Sequence, residues 1–266
     1  MTQAAGTLPV HAVLLDIDDT LLDTTAAMIG AGEVAMAAVW PDESDVWRQA
    51  AARRFRSDPG GFFKRYTAGE LDFEQMRAAR LAEVGAAQGR SLPDDAIDVY
   101  EAAFRPAFLE RQRVYDDVLP FLDACAAAGL RFGALTNSSA AATQSKLSAL
   151  GLEGRLGPVV TRDTLGVGKP DPAVFRHAVA ELGSDPSRTA YIGDEFEADV
   201  LGPARAGLQP IWLRRPRHTE VGHAPDAAIS DATAPDDVPV ITGLDQLRPD
   251  AAGLAVLDLG RTAPAR

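Results

Sequence analysis

Short apolar runs that end in polar residues recur along this chain, and no other feature constrains its fold as strongly. Five such runs start at residues 12, 131, 189, 209 and 238. A strand inside a parallel sheet is buried on both faces, so it reads as a continuous apolar run rather than as an alternation of apolar and polar residues. The runs therefore predict strands of a parallel sheet whose carboxyl ends carry the polar residues.

Amphipathic stretches separate the later runs. They cover residues 117–128, 139–150 and 171–182, and each is followed by a glycine, a residue that commonly ends a helix. Strand and helix thus alternate through the second half of the chain, which is typical of parallel sheets with right-handed crossovers. We predict an α/β fold with a doubly wound, Rossmann-like parallel sheet.

One long segment interrupts this alternation. Residues 24–112 contain several amphipathic helical stretches and no strand-like run. We therefore predict an all-helical domain there, inserted into an α/β core formed by residues 1–23 and 113–248. Residues 215–237, rich in Pro, His, Asp and Ala, are predicted as a long loop, and residues 249–266 as a C-terminal tail.

The charge balance narrows the possible partners. The chain carries 38 acidic and 26 basic side chains, a net charge of −12, and lysine occurs only at Lys64, Lys146 and Lys169. This balance argues against a surface for nucleic acid or an anionic membrane, although a locally positive pocket can still bind an anion. The single cysteine cannot form an internal disulfide, and the N-terminus lacks the pattern of a signal peptide. We expect a cytoplasmic protein, either a monomer or a homodimer.

Polar side chains suited to catalysis follow the predicted strands or lie in loops that lead into helices: Asp16, Asp18, Thr136, Asn137, Lys169, Asp194 and Asp199. Ligands of open parallel sheets bind beyond the carboxyl ends of the strands, so we expect these groups to share one crevice. Clustered carboxylates repel one another unless protons or a cation compensate them, and oxygen ligands suit Mg²⁺. A metal, a lysine and a hydroxyl facing one crevice are the usual means of neutralising a phosphoryl group.

Four motifs carry a family resemblance. DIDDT at 16–20, LTN at 135–137, GKPDP at 168–172 and GDEFEADVLGPARAG at 193–207 resemble the ordered motifs of the haloacid dehalogenase superfamily. Residues 24–112 resemble the helical, first type of cap domain in its subfamily I. The resemblance extends to about residue 247, and four motifs in order at predicted strand ends are far more specific than one acidic string.

The resemblance implies a role for each motif residue. Asp16 would be the nucleophile that forms an aspartyl-phosphate, and Asp18 the general acid and then the general base. The two tasks of Asp18 require a pKa above that of a free carboxyl group. Thr136 and the Asn137 backbone would hold the phosphoryl oxygens, and Lys169 would bridge the nucleophile and the phosphate.

The resemblance also implies the metal ligands and the reaction. Asp194 would bind Mg²⁺ together with the Asp16 carboxylate and the Asp18 backbone carbonyl. Asp199 would not bind the metal directly but would orient Lys169 or a metal-bound water. Relatives that cleave carbon–halogen bonds lack an aspartate at the position of Asp18, so its presence favours a phosphatase acting on a small phosphorylated metabolite.

Two other functions remain open, a phosphomutase on the same fold and a non-catalytic member that binds a ligand or partner. The basic cluster at residues 53–65 is predicted mainly as a solvated helix face. The alternative is that one of its members grips a second anionic group of the substrate: Arg53, Arg54, Arg56, Lys64 or Arg65.

Overall fold

The computed structural model describes residues 4–216 and 234–257. Within these ranges the strands are β1 (Ala4–Leu8), β2 (Ala12–Leu15), β3 (Arg131–Leu135), β4 (Val159–Val160), β5 (Thr189–Gly193), β6 (Gln209–Leu213), β7 (Val240–Ile241), β8 (Leu247–Asp250) and β9 (Gly253–Leu257). The helices are α1 (Thr24–Val39), α2 (Asp45–Ser57), α3 (Phe62–Thr67), α4 (Phe73–Ala87), α5 (Ala96–Arg111), α6 (Val118–Ala127), α7 (Ala140–Ala149), α8 (Arg162–Leu165), α9 (Pro172–Glu181) and α10 (Gly202–Arg205). Within the same two ranges, no helix is both long and apolar enough to cross a bilayer.

The main sheet is parallel and has β2 near its centre. Its six strands lie in the order β4-β3-β2-β5-β6-β7. Leu14 of β2 lies opposite Gly133 of β3 on one side and Tyr191 of β5 on the other. The chain thus winds outward from β2 in both directions, which confirms the predicted doubly wound α/β fold and places a crevice at the carboxyl ends of β2, β3 and β5.

Helices cover both faces of this sheet, which explains the continuous apolar runs. Val13 and Leu15 of β2 pack into a cluster with α6, whereas Leu14 packs into a cluster with α9. Cys125 of α6 is fully buried in the first cluster, and burial raises the pKa of its thiol to about 12. This cysteine is a core residue.

The helices α1–α5 have an apolar core of their own. Its larger buried members are Met36, Val39, Trp40, Phe55, Leu81, Val84, Tyr100 and Phe104. The buried guanidinium of Arg77 lies 4.1 Å from the ring centroid of Phe104 and forms an ion pair with Glu101 at 2.7 Å. Stacking on aromatic rings and pairing with a carboxylate compensate the loss of water around this cation.

The two connections between the helical segment 24–112 and the sheet run side by side. The backbone N–H of Asp23 donates to the carbonyl of Arg113 at 2.9 Å. Leu22 forms an antiparallel bridge with Val114. The segment is therefore attached to the sheet through one narrow, hydrogen-bonded pair of connections.

The part of the predicted tail at residues 249–257 is ordered into strands. Here β1, β9 and β8 form a three-stranded antiparallel sheet in that order, and Leu254 and Val256 are buried in the same cluster as Val13. The apolar residues of β9 account for this, because a strand with two paired neighbours and a buried face is more stable than a solvated tail. Residues 258–266 of the predicted tail, and 217–233 of the predicted loop, lie outside the described residues.

Candidate active site

The loop after β2 places Asp16 at the carboxyl end of the sheet. The backbone N–H of Asp16 donates to the carbonyl of Ile192 at 2.9 Å, so this residue continues the pairing of β2 with β5. The loop turns at Asp19, which has a φ of +58°, a left-handed conformation that Asp adopts more readily than most residues. The Asp19 carboxylate accepts hydrogen bonds from the backbone N–H and the hydroxyl of Thr25 at 2.7 and 2.6 Å. These bonds fix the turn that directly follows the two predicted acids, Asp16 and Asp18.

Lys169 binds two buried carboxylates at once. Its Nζ lies 2.6 Å from Asp16 Oδ1 and 2.7 Å from Asp199 Oδ1. It also donates to the hydroxyl of Tyr191 at 3.0 Å, and that hydroxyl donates to the Leu135 carbonyl at 3.0 Å. The structure thus brings together three residues that the motifs single out, and it adds Tyr191, whose position inside β5 gave no sequence signal.

The side chain of Asn137 fixes the backbone of Lys169. Its Oδ1 accepts from the Lys169 N–H at 2.6 Å, and its Nδ2 donates to the Lys169 carbonyl at 3.0 Å. Glycine is required at position 168, because a Cβ there would lie 2.4 Å from Asn137 Oδ1. With the amide occupied in this way, the backbone of Asn137 is the part left for the predicted contact with a phosphoryl oxygen.

Thr136 lies buried at the end of β3. Its backbone N–H donates to the Val160 carbonyl at 3.0 Å, and its Oγ1 accepts from the Ser138 N–H at 3.1 Å. The hydroxyl acts as an acceptor in that bond and keeps its own hydrogen for another acceptor. The contact between Thr136 and a phosphoryl oxygen stays a prediction.

Three side chains hold the Asp18 carboxylate. Oδ1 accepts from Lys146 Nζ and from the Thr24 hydroxyl, both at 2.6 Å, and Oδ2 accepts from the Ser138 hydroxyl at 2.8 Å. Burial acts to raise the pKa of Asp18, but Lys146 and the hydrogen bonds outweigh burial and lower this pKa to about 2. The raised pKa expected from the sequence is therefore wrong for this arrangement, because Asp18 faces an ammonium group at hydrogen-bond distance.

Lys146 is a site residue that the motifs do not identify. It lies within α7, is 3% exposed, and stands 128 positions from Asp18 in the chain. Its one sequence signal is the rarity of lysine in a chain that otherwise uses arginine. Lys146 and Lys169 are buried against site carboxylates, whereas Lys64 is exposed on α3.

Asp194 and Asp199 follow β5 and lie beside Asp16. Carboxylate oxygens of these three residues lie within 4.8 Å of one another. The other oxygen of Asp199, Oδ2, accepts from the Glu195 N–H at 3.0 Å. Only glycine fits at position 193, because a Cβ there would come within 2.4 Å of the Asp199 carboxylate.

This acidic cluster fits a divalent cation. Both oxygens of Asp199 accept hydrogen bonds, one of them from Lys169, so Asp16 and Asp194 are the carboxylates left to bind a metal. Two carboxylates with water and no nitrogen or sulfur donor form the kind of set that Mg²⁺ prefers. Asp199 contacts Lys169 directly, and its supporting role at a metal site stays a prediction.

The same cluster retains protons when no cation compensates it. Burial raises the pKa of Asp16 to about 8 against the opposing charge of Lys169. Burial and neighbouring carboxylates, Asp19 foremost, also raise the pKa of Asp194 well above its usual range, and burial raises that of Glu195. A divalent cation would displace these protons, so metal affinity should increase with pH.

Two arginines connect the helical segment to the sheet domain near the crevice. Arg56, from the basic cluster on α2, donates to Asp19 Oδ2 at 2.8 Å. Arg162, at the start of α8, donates to the Tyr66 carbonyl at 2.6 Å and lies with its guanidinium 4.1 Å from the ring centroid of Tyr66. The helical segment thus contacts the sheet domain through charged groups as well as through its two connections.

Comparison with known proteins agrees with this architecture. The family model of haloacid dehalogenase-like hydrolases matches residues 10–207. The glyceraldehyde 3-phosphate phosphatase of Methanopyrus kandleri is 28% identical over 84% of this chain and 91% of its own length. The N-acetylmuramic acid 6-phosphate phosphatase of Pseudomonas aeruginosa is 31% identical over 77% of this chain and 82% of its own length.

A solved structure shows the same fold. The HAD-hydrolase YfnB of Bacillus subtilis, bound to magnesium, superposes with a TM-score of 0.68 and 18% identity over 89% of this chain and 96% of its own. Its likeness concerns the arrangement of the strands and helices. The match of the family model over most of the chain, together with the four motifs at the strand ends, shows that this chain belongs to the haloacid dehalogenase-like hydrolase family.

Proposed function

We propose that the protein is a Mg²⁺-dependent phosphomonoesterase that hydrolyses a small phosphorylated metabolite through a phospho-aspartyl intermediate on Asp16. The observation that carries the proposal is the buried Asp16 carboxylate at the end of β2, bound by Lys169 and followed two residues later by Asp18. Curated relatives with similar sequences are named phosphatases of small phosphorylated compounds, which supports the same reaction class.

The first step transfers the phosphoryl group to the protein. One oxygen of the Asp16 carboxylate attacks phosphorus while the bond to the ester oxygen breaks, and Lys169, 2.6 Å from Oδ1, offsets the negative charge of this carboxylate. Asp18 donates a proton to the departing oxygen. The anionic phosphate raises the pKa of Asp18 from its low value in the free site, which lets this carboxyl group bind the proton that it transfers.

The second step releases phosphate. Asp18, now ionised, takes a proton from a water molecule, and the resulting hydroxide attacks phosphorus and frees the Asp16 carboxylate. Lys169, the Thr136 hydroxyl and the Asn137 N–H would bind the phosphoryl oxygens in both steps. Mg²⁺, held by Asp16, Asp194 and the Asp18 carbonyl, would supply positive charge that offsets the repulsion between the nucleophile and the phosphate.

The helical segment 24–112 would serve as a cap that covers the crevice and selects the leaving group. Its separate apolar core and its paired connections to the sheet support this role. The contact between Arg56 and Asp19 places a cationic side chain of the segment beside the loop that carries Asp16. Closure over the bound substrate would exclude bulk water from the crevice.

A phosphatase assay tests the proposal. We expect release of phosphate from phenyl phosphate in the presence of Mg²⁺, loss of this activity with EDTA, and loss of at least ~10³-fold in Asp16→Asn. A panel of phosphorylated metabolites would then identify the natural substrate. Activity that survives Asp16→Asn would contradict the mechanism.

The same assay separates the two other functions. A phosphomutase would interconvert sugar phosphates with little net release of phosphate. A binding protein would bind one of the metabolites without turnover. Either result would replace the phosphatase assignment.

A further inference from the structure

We propose that Lys146 is a positioning residue for Asp18, and that it fixes which carboxylate oxygen exchanges protons during the reaction. The inference rests on the proposed phosphatase function, because it concerns the residue assigned there as general acid and base. It adds a side chain that lies outside the four motifs. The argument starts from the number of hydrogen bonds on each oxygen of Asp18.

The contacts of Asp18 are unequally distributed. A carboxylate offers about two acceptor positions on each oxygen. Lys146 and Thr24 fill both positions on Oδ1, whereas Ser138 fills one position on Oδ2. Oδ2 therefore keeps one acceptor position, and it is the oxygen that can give a proton to a leaving group or accept one from water.

Lys146 also joins two of these groups into one unit. Its Nζ lies 3.2 Å from the hydroxyl of Ser138, in addition to its bond with Asp18. Because the Ser138 hydroxyl itself donates to Oδ2, the ammonium group holds one carboxylate oxygen directly and the other through Ser138, which restricts rotation of the carboxylate. The side chain of Lys146 is 4% exposed and that of Asp18 is 28% exposed, so the cation is enclosed while the carboxylate still reaches the crevice.

The surroundings of Lys146 argue against a purely structural ion pair. A buried ammonium group is costly to desolvate, and an apolar side chain of similar volume would fill the same space at lower cost. Arginine is the usual cation of this chain, but its planar fork could not replace a compact ammonium group that binds one carboxylate oxygen and one hydroxyl. The compact shape of the ammonium group therefore explains why a lysine, and not an arginine, holds Asp18.

The experiment compares two esters that differ in their need for a proton. Phenyl phosphate requires protonation of its leaving oxygen, whereas the leaving group of dinitrophenyl phosphate is stable as an anion. The ratio kcat/KM reports the steps up to departure of the leaving group, so it isolates the acid role of Asp18. The variants are Lys146→Met, which removes the charge at similar length, and Lys146→Arg, which keeps the charge but changes its geometry.

We expect Lys146→Met to lower kcat/KM for phenyl phosphate by ~10- to 100-fold and for dinitrophenyl phosphate by less than ~3-fold. Lys146→Arg should restore only part of the loss with phenyl phosphate. Arg155→Met is the matched control, because it breaks an exposed ion pair with Asp123 on the outside of the sheet domain. It should leave both values unchanged.

Equal losses with the two esters, or no loss with either, would overturn the inference. If Lys146→Met does not fold, Lys146→Arg tests the inference by itself, because it should still show a selective loss with phenyl phosphate. Failure of the wild-type protein to hydrolyse either ester would instead contradict the proposed function itself, and the inference with it. The two failures are therefore distinguishable.

Discussion

The two buried lysines of the crevice bind carboxylates in different surroundings. The side chains of Lys169, Asp16 and Asp199 are 4%, 7% and 1% exposed, so this network is closed to solvent. Lys146 is as deeply buried as Lys169, but its partner Asp18 is 28% exposed. A closed network suits groups that must keep one position, and a carboxylate that still reaches the crevice suits a group that exchanges protons with the substrate and water.

Replacing each lysine in turn should give the largest difference between the two networks in the free energy of unfolding. Lys169→Met leaves the buried carboxylates of Asp16 and Asp199 uncompensated, and we expect a loss of about 3–5 kcal/mol in the free energy of unfolding. Lys146→Met leaves a carboxylate that water can reach, so its loss should be about 1 kcal/mol. Urea unfolding of both variants in EDTA measures the difference, and equal losses would show that the two networks are not distinct.

The pH dependence of stability should also differ between the two acids. The pKa of Asp16 rises from its usual 3.8 to about 8 on folding. The stabilisation from its protonated form is complete below 3.8 and is lost as the pH increases through about 8. The metal-free protein should therefore have a Tm that decreases between pH 5 and pH 8, and Asp16→Asn should reduce this slope.

The ionisation of Asp18 should change the stability with pH in the opposite direction to that of Asp16. Its pKa falls from 3.8 to about 2 on folding, so its stabilisation is present above 3.8 and is lost as the pH falls through about 2. Asp18→Asn should therefore change the Tm profile on the acidic side and leave the slope near neutral pH unchanged. Added Mg²⁺ should raise the Tm more at pH 8 than at pH 6, since it replaces protons of the Asp16 cluster.

A smaller effect is expected when a single hydroxyl is removed from each network. Tyr191→Phe deletes the donor to the Leu135 carbonyl and an acceptor for Lys169, all of them buried, and should cost about 1–2 kcal/mol of stability. Ser138→Ala removes one hydrogen bond to the partly exposed carboxylate of Asp18 and should cost less than ~1 kcal/mol of stability. Chemical unfolding of the two variants tests this order, and a larger loss for Ser138→Ala would reverse the comparison.

The smallest effect should come from the contact at the edge of the crevice. The side chain of Arg56 is 35% exposed, so its ion pair with Asp19 should contribute about 0.2–1 kcal/mol and weaken with salt. If the helical segment closes as a cap, Arg56→Met should change KM for the natural substrate more than the Tm. A shift of the Tm with an unaltered KM would assign Arg56 to stability alone.

The sequence predicts the network around Lys169 better than the network around Lys146. Asp16 follows β2, Lys169 lies in a loop, and Asp199 lies in the helical turn Phe196–Leu201 just after β5. All three are at the carboxyl ends of the sheet, so the alternation of strand and helix is enough to bring them together. Lys146 lies inside α7, and whether a helix turns a given side chain toward the crevice depends on packing that periodicity does not specify. The hydrogen bonds between the Asn137 side chain and the Lys169 backbone were not predicted either, because a contact between residues 32 positions apart leaves no local pattern in the sequence.

Chemical trapping of the phosphorylated residue tests the central claim most directly. In Asp18→Asn the general base is absent, but dinitrophenyl phosphate needs no general acid, so phosphorylated protein should accumulate with this ester. Acid quenching, reduction with borohydride and peptide mass spectrometry should then show homoserine at position 16. An unmodified Asp16, or homoserine at another position, would contradict the assignment of Asp16 as the nucleophile.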